Sequence, residues 1–248
     1  MKLVFQDAAV FKRFVDGIAV LVDEAEFVIS NEGVYLKATD PSQVSLVDFS
    51  LPNSSFKVFE LPQPLRLGVD LNYLNQVFSR AKANDVVEIS LSADSKFSIV
   101  FSGVAKRSFV VPLLDLASQE IPVPKIDFDA ELKMNAGLLQ DCLKDVSLVS
   151  THVVLSVVDG CFVVSANSSK GNVENSYSVE EHSLISLSAK SNCKAMFPLD
   201  YLTNFFKAAS SDTEVVLKLK SDAPIEVSYS FGGATLRYFL APRIEDSQ

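Results

Sequence analysis

The stretch LNYLNQVFSRAKANDVVEISLSADSKFSIVF (Leu71–Phe101) has a second version in the same chain, LDYLTNFFKAASSDTEVVLKLKSDAPIEVSY (Leu199–Tyr229). The two align without a gap at an offset of 128 residues, Leu71 against Leu199. Leu71, Tyr73, Leu74, Phe78, Ala81, Val87, Leu91 and Asp94 coincide with Leu199, Tyr201, Leu202, Phe206, Ala209, Val215, Leu219 and Asp222. The same offset sets AAVFKRFVDGIAVL (Ala8–Leu21) over AGLLQDCLKDVSLV (Ala136–Val149). One residue of slippage then sets NEGVYLKAT (Asn31–Thr39) over VDGCFVVSA (Val158–Ala166). Chance explains one match between amphipathic stretches, but not a series in the same order at nearly constant spacing. The chain is an internal duplication.

Each copy predicts the same run of elements. A short strand (Lys2–Phe5; Ala130–Met134) leads into an amphipathic helix (Ala8–Val20; Ala136–Val149). In the first helix Phe11, Phe14, Val15 and Ile18 recur at the spacing of one helical face. Alternating apolar and polar segments follow, and in the second copy Asp159-Gly160 between them signals a tight hairpin. A second helix (Leu71–Ala83; Leu199–Ala209) precedes three more strands. This is an α+β class, with two helices per unit packed on antiparallel sheet. Between the copies lies DLASQEIPVPKIDFD (Asp115–Asp129), where Pro122 and Pro124 block a central strand and favour an extended linker. The reading is a first domain over 1–114, a connector over 115–128 and a second domain over 129–248.

A hydrophobic fraction of 48%, with eighteen Phe and no Trp, is ample for two cores. No apolar run approaches the roughly 20 residues that cross a bilayer. The N-terminal MKLVFQDAAVF lacks the long apolar stretch of a secretory signal. Cys142, Cys161 and Cys193 form no CxxC pair, so the expectation is a reduced, cytoplasmic setting. The net charge of −9 argues against a nucleic-acid binder on its face, yet it says nothing of how charge is divided over the surface.

Catalytic chemistry is not legible. There is no glycine-rich phosphate loop, and His152 and His182 match no metal spacing. Cys142 falls on the apolar stripe with Leu138, Leu139 and Leu143, as a packing residue does. Asp127 and Asp129 alternate as on a solvated strand edge. No catalytic residue, metal or cofactor is expected. The polar helix faces say more: Lys12 and Arg13, Arg80, Lys144 and Lys207 give every helix a cation away from its core, diluted by Asp16, Asp141 and Asp200.

The closing YFLAPRIE (Tyr238–Glu245), LKATDPSQVSLVDFSL (Leu36–Leu51) and VDLNYLNQVFSRAKANDVVEI (Val69–Ile89), with the duplication and its proline connector, resemble the proliferating cell nuclear antigen family of DNA sliding clamps, archaeal type. The resemblance covers essentially the whole chain. It implies a six-domain ring of three identical subunits, with helices lining a hole through which duplex DNA passes without sequence preference. Lys12, Arg13, Arg80, Lys144 and Lys207 match the family's DNA-facing cations, while Ala19, Asp141 and Asp200 stand where some members carry cations. Val44, Leu46, Ile121, Val123, Pro224, Phe239, Ala241, Pro242 and Ile244 match its pocket for partner peptides. Phe239 replaces a common Tyr there, and Thr39 a common Met.

The family's subunit joint corresponds to SFVVPL (Ser108–Leu113) and NVENSYSV (Asn172–Val179). Ser108, Phe109, Val110, Val111, Glu174, Ser176, Tyr177 and Ser178 are its expected contacts, with Lys82 and Arg107 facing Asp141 or Asp145 of the next subunit. The expected function is a replication and repair processivity factor without catalysis of its own. Its expected partners are DNA polymerase, an ATP-driven clamp loader, flap endonuclease and DNA ligase. The expected location is the archaeal cytoplasm, at the nucleoid, or the nucleus of a eukaryote. The alternatives are one subunit of a heterotrimeric or checkpoint-type clamp and, more distantly, an enzyme on a duplicated scaffold.

Overall fold

Asp7 starts the first helix by chemistry that the sequence makes plain. Its carboxylate accepts the N–H groups of Ala9 and Val10 at 2.8 and 3.1 Å, satisfying donors that a helix leaves unpaired at its start. Asp70 does the same for the second helix through Tyr73 N–H at 2.9 Å. The computed structural model describes residues 1–118 and 120–243. In chain order the first copy contains β1 (Lys2–Phe5), α1 (Ala8–Ala19), β2 (Glu24–Ser30), β3 (Gly33–Thr39), β4 (Ser45–Pro52), β5 (Val58–Glu60), β6 (Leu65–Asp70), α2 (Leu71–Phe78), β7 (Val86–Leu91), β8 (Phe97–Ser102) and β9 (Lys106–Val111). The second contains β10 (Ala130–Asn135), α3 (Ala136–Val149), β11 (His152–Val158), β12 (Cys161–Ser168), β13 (Gly171–Tyr177), β14 (Ser186–Ala189), β15 (Cys193–Pro198), α4 (Leu199–Phe205), β16 (Glu214–Leu219), β17 (Ile225–Phe231) and β18 (Ala234–Leu240).

The duplication extends to topology. In the first unit the strand orders are β5-β1-β7-β8-β9 and β4-β3-β2-β6; in the second they are β14-β10-β16-β17-β18 and β13-β12-β11-β15. These are the same orders element for element, and the pairings defined along them are antiparallel. The compact units are not a simple linear split. The first holds Met1–Gln43, Val47–Pro122 and Phe231–Leu236; the second holds Val44–Leu46, Val123–Ser230 and the residues from Arg237 onward.

Phenylalanine builds the first core. Phe11 stacks on Phe78 with ring centroids 5.1 Å apart, Phe78 meets Phe101 edge-on at 5.5 Å, and Phe14 meets Phe49 at 5.8 Å. Burying each such side chain contributes about 2–3 kcal/mol. The second core swaps in tyrosines that bring their own hydrogen bonds. Tyr238 stacks on Phe205 at 4.4 Å, and the Tyr229 hydroxyl donates to the Phe205 carbonyl at 2.6 Å. Asp159 and Gly160, both at positive φ (49° and 82°), make the tight turn that registers Val158 opposite Cys161.

Two helices are shorter than their periodicity predicts. α2 stops at Phe78 and α4 at Phe205, because the following turns tighten: Arg80 and Ala81 N–H bond to the carbonyls three residues back, and so do Lys207 and Ala209. Apolar spacing carries through such a turn, so the sequence does not mark the change. Leu138, expected in the α3 core stripe, is 38% exposed, while Cys142 is buried with Leu139, Leu143 and Val146. Burial pushes the Cys142 thiol up to about 11, which leaves it an inert packing group.

Candidate functional site

The helix cations fall into two kinds. On α1, Lys12 Nζ lies 2.5 Å from Asp16 one turn along, and the Arg13 guanidinium sits 4.2 Å above the Phe231 ring. On α3, Lys144 Nζ lies 2.8 Å from Asp141. Arg80 and Lys207 are exposed in the turns that follow α2 and α4, rather than on the helices. Among the described residues neither has a carboxylate in ion-pair range. Leu148, 75% exposed near the end of α3, is an apolar addition to that helix surface that the charge pattern did not flag.

The connector is fastened at both ends. Leu114 N–H donates to Gly68 O at 2.9 Å, and a Cβ on Gly68 would collide with the Leu114 carbonyl, so β6 keeps a glycine where the connector crosses it. Ser118 Oγ donates to Glu26 at 2.7 Å, and Arg66 holds the same carboxylate at 2.6 Å. Burial alone would raise the Glu26 pKa, but the Ser118 and Arg66 hydrogen bonds and the Arg66 charge outweigh it and hold the acid below its ordinary value. At the other end, Lys190 binds Asp127 at 2.6 Å and Lys220 donates to the Asp127 carbonyl at 3.0 Å. Asp127 thus belongs to a tether, not to an idle sheet edge. A cleft of about 760 Å3 on the first unit lies under the connector, lined by Tyr35, Lys37, Thr39, Arg66, Glu120 and Ile121 among others.

In the second unit the chain's closing strand meets Val44–Leu46. Ala241 N–H donates to Val44 O at 2.8 Å, and Ser45 Oγ donates to Phe239 O at 2.9 Å. Val44 is exposed there, and Val123, Pro224, Ala241 and Pro242 are half-buried. Leu46 and Phe239 are instead buried, at 6% and 3%, so they support the wall from behind. Ile121 belongs to the first unit, and Ile244 lies outside the described residues.

Arg243 fixes the strand exit. Its N–H donates to Met196 O at 2.7 Å, and its guanidinium donates to His152 Nε2 at 2.7 Å. Burial, and then the Arg243 charge, hold the His152 imidazole below its ordinary value, with Asp200 opposing. The fold therefore favours the neutral ring, and its contribution is intact above the usual histidine range and lost as pH falls through it. The Arg243 amide is expected to lose hydrogen-exchange protection as pH drops below about 6.5. His152→Gln should make that protection independent of pH, and an unchanged pH profile in the variant would refute the assignment.

Two of the strands that end a sheet among the described residues coincide with the expected joint. β9 ends the five-stranded sheet of the first unit, and β13 ends the four-stranded sheet of the second. Val110 on β9 is 58% exposed, while Phe109 is half-buried and Val111 buried. On β13, Glu174 and Ser176 are exposed and Tyr177 is half-buried. The only buried side-chain polar atom without a partner among the described residues, Asn175 Nδ2, is on this strand too.

Within the single chain, the side chains expected to pair across these edges have the following surroundings. Arg107 binds Asp85 of its own unit and the Arg80 carbonyl. Asp141 is taken by Lys144, and Ser108 and Asp145 stay exposed. Lys82 contributes its backbone N–H to Asp85 at 2.8 Å. Ser178 lies beyond the strand, in a turn where its N–H binds Ser183 Oγ at 2.8 Å.

A family model described as proliferating cell nuclear antigen, N-terminal domain, matches residues 1–121, and its C-terminal domain counterpart matches residues 122–244. A DNA polymerase sliding clamp of Thermofilum pendens is 36% identical over 247 residues, 99% of this chain and 100% of the relative. One of Pyrococcus furiosus is 30% identical over 246 residues, 99% of each. Among solved structures, a PCNA from Thermococcus kodakaraensis superposes with a TM-score of 0.94 at 24% identity, covering 98% of this chain and 99% of that one. A. fulgidus PCNA bound to the C-terminal region of FEN-1 gives 0.88 at 24% identity, covering 99% of each. The PCNA2–PCNA3 complex of Sulfolobus tokodaii gives 0.90 at 22%, covering 99% and 100%.

Proposed function

The chain belongs to the proliferating cell nuclear antigen family, and from that premise we propose that it is a DNA polymerase sliding clamp, a ring that encircles duplex DNA and tethers replication and repair enzymes. The observation that carries the ring is an asymmetry between equivalent edges. β18, the last strand of the second unit's five-stranded sheet, has Val44–Leu46 against it at Ser45 and Val44. Among the described residues its counterpart β9 has no strand on its outer edge, and neither has β13, the counterpart of β4. A second copy's β13 can cover β9 as the β4 segment covers β18. Repeating that heterologous contact closes a ring and covers the β9 and β13 edges of every subunit.

Topological capture explains how an acidic chain holds DNA. A closed ring needs no tight contact, only phosphate interactions weak enough to exchange as the duplex moves. Arg80, Lys207, Lys12, Arg13 and Lys144 are the cations that supply them. The clamp performs no chemistry; it raises the local concentration of enzymes that do. Their tails dock as extended peptides on the pocket of Val44, Val123, Pro224, Ala241 and Pro242, with a flap endonuclease tail as one occupant and polymerase, clamp loader and ligase as others. The archaeal relatives support a place at the nucleoid. The solved complex of two different clamp chains keeps a mixed ring as a second reading.

The test is retention on DNA. The purified chain, once loaded, should stay on a closed circular plasmid and run off the same plasmid after linearisation; equal loss from both would exclude a ring. For the pocket, Val44→Asp is expected to weaken a fluorescent flap-endonuclease tail peptide at least about tenfold, since a carboxylate would lie unpaired in an apolar contact. Because Val44 is exposed, thermal stability should not change. Undiminished peptide affinity would place the docking site elsewhere.

A further inference from the structure

We propose that Asp16 and Asp141 act as brakes on DNA contact: each holds the DNA-facing lysine of its own helix in an ion pair that a phosphate must displace. The inference rests on the clamp reading. The geometry is a pair on each long helix, Lys12–Asp16 at 2.5 Å and Lys144–Asp141 at 2.8 Å.

Helix stability does not account for Asp16. It lies near the end of α1, which closes at Ala19, where the negative pole of the helix dipole opposes an anion. Its order is also the poorer one, since a Lys–acid pair with the lysine nearer the N-terminus works against the same dipole. The Asp141–Lys144 pair is about three-quarters exposed on both sides, and such pairs add little to a fold. Carboxylates that contribute little to folding but neutralise the cations of a nucleic-acid surface tune that surface instead.

The consequence for sliding is direct. A lysine already paired releases few counterions when it meets DNA, so the salt-dependent part of binding shrinks. The displaced carboxylate is left near the phosphate and repels it. Lysine exchanges one anion for another at small net change, and the duplex advances without a deep well at each step. Arg80 and Lys207, which have no such partner among the described residues, remain as the standing attraction.

The experiment uses the full chain and a short blunt-ended fluorescent duplex, followed by anisotropy across a salt series. The Asp16→Asn/Asp141→Asn variant should bind about tenfold tighter at low salt, with a log–log salt slope steeper by about 0.9 for each added phosphate contact. Adding Lys12→Gln and Lys144→Gln should cancel the gain. Asp94→Asn, which frees Lys96 in the turn between β7 and β8, is the control charge-matched to Asp141→Asn and should gain nothing. Asp141→Asn alone, at an exposed site, should give part of the effect without any question of folding.

Unchanged affinity and slope in the double variant would overturn the proposal. So would a gain that survives loss of the lysines, or a gain in Asp94→Asn equal to that of Asp141→Asn. Wild-type retention on the closed circle separates the two levels. If the wild type is retained while the variants bind alike, the brakes alone fall. If it is not retained, the clamp reading falls and the brakes with it.

Discussion

Val110→Asp is expected to turn a trimer of roughly 81 kDa, three times the 27.1 kDa chain, into a monomer by light scattering. Val110 is 58% exposed on β9, a strand whose outer edge has no neighbour in its own unit. Aspartate disfavours strand and brings a charge that has to be desolvated when the edge is covered. It would also lie against an edge that carries the exposed Glu174, so the charges repel. The substitution leaves the rest of the sheet untouched, because Val110 contributes little to the first core. Circular-DNA retention should vanish with the trimer. A variant that keeps its trimer mass at low micromolar concentration would show that β9 is not the joint.

Arg107→Ala is expected to cost about 2–3 kcal/mol in denaturant unfolding, monitored on the first unit. The Asp85 side chain that Arg107 binds is only 4% exposed, and the guanidinium also covers the Phe101 ring at 5.5 Å. Asp85 would keep the Lys82 N–H at 2.8 Å and nothing cationic. That residual bond, with the 24% exposure of Arg107, sets the estimate below the usual cost of orphaning a buried charge. Arg107→Ala/Asp85→Asn should lose less than the single variant, since the orphaned charge goes too. A single-variant loss within about 0.5 kcal/mol would mean that the pair contributes nothing. If Arg107 instead bridged subunits, trimer mass would fall while subunit stability held, and the two measurements separate these cases.

The places where sequence reading fell short share a cause. Arg107 and Asp85 are 22 residues apart, joined only because β8 and β9 return alongside the turn after α2. No periodicity encodes such a meeting. Leu46 and Phe239 read as wall residues because apolar type says nothing of which side of a strand is covered. The anchoring of the connector through Ser118 to Glu26 spans 92 residues, and that of the strand exit through Arg243 to His152 spans 91. Each looked like an ordinary polar residue.

What the sequence determined by itself was everything set by short-range spacing and by comparison of the chain with itself. The repeat at 128 residues fixed two equivalent units, and the structure repeats even the strand order. Phe11, Phe14, Val15 and Ile18 marked the buried face of α1, and Asp159-Gly160 marked a hairpin, because both depend on a few neighbouring residues. Tertiary structure alone decided where α2 and α4 end, which carboxylate each cation meets, and which segments cross between units, as Val44–Leu46 and Phe231–Leu236 do. Backbone periodicity is a local energy and survives in one dimension. Burial and charge pairing are set by which distant segments pack together, and only the folded chain makes that choice.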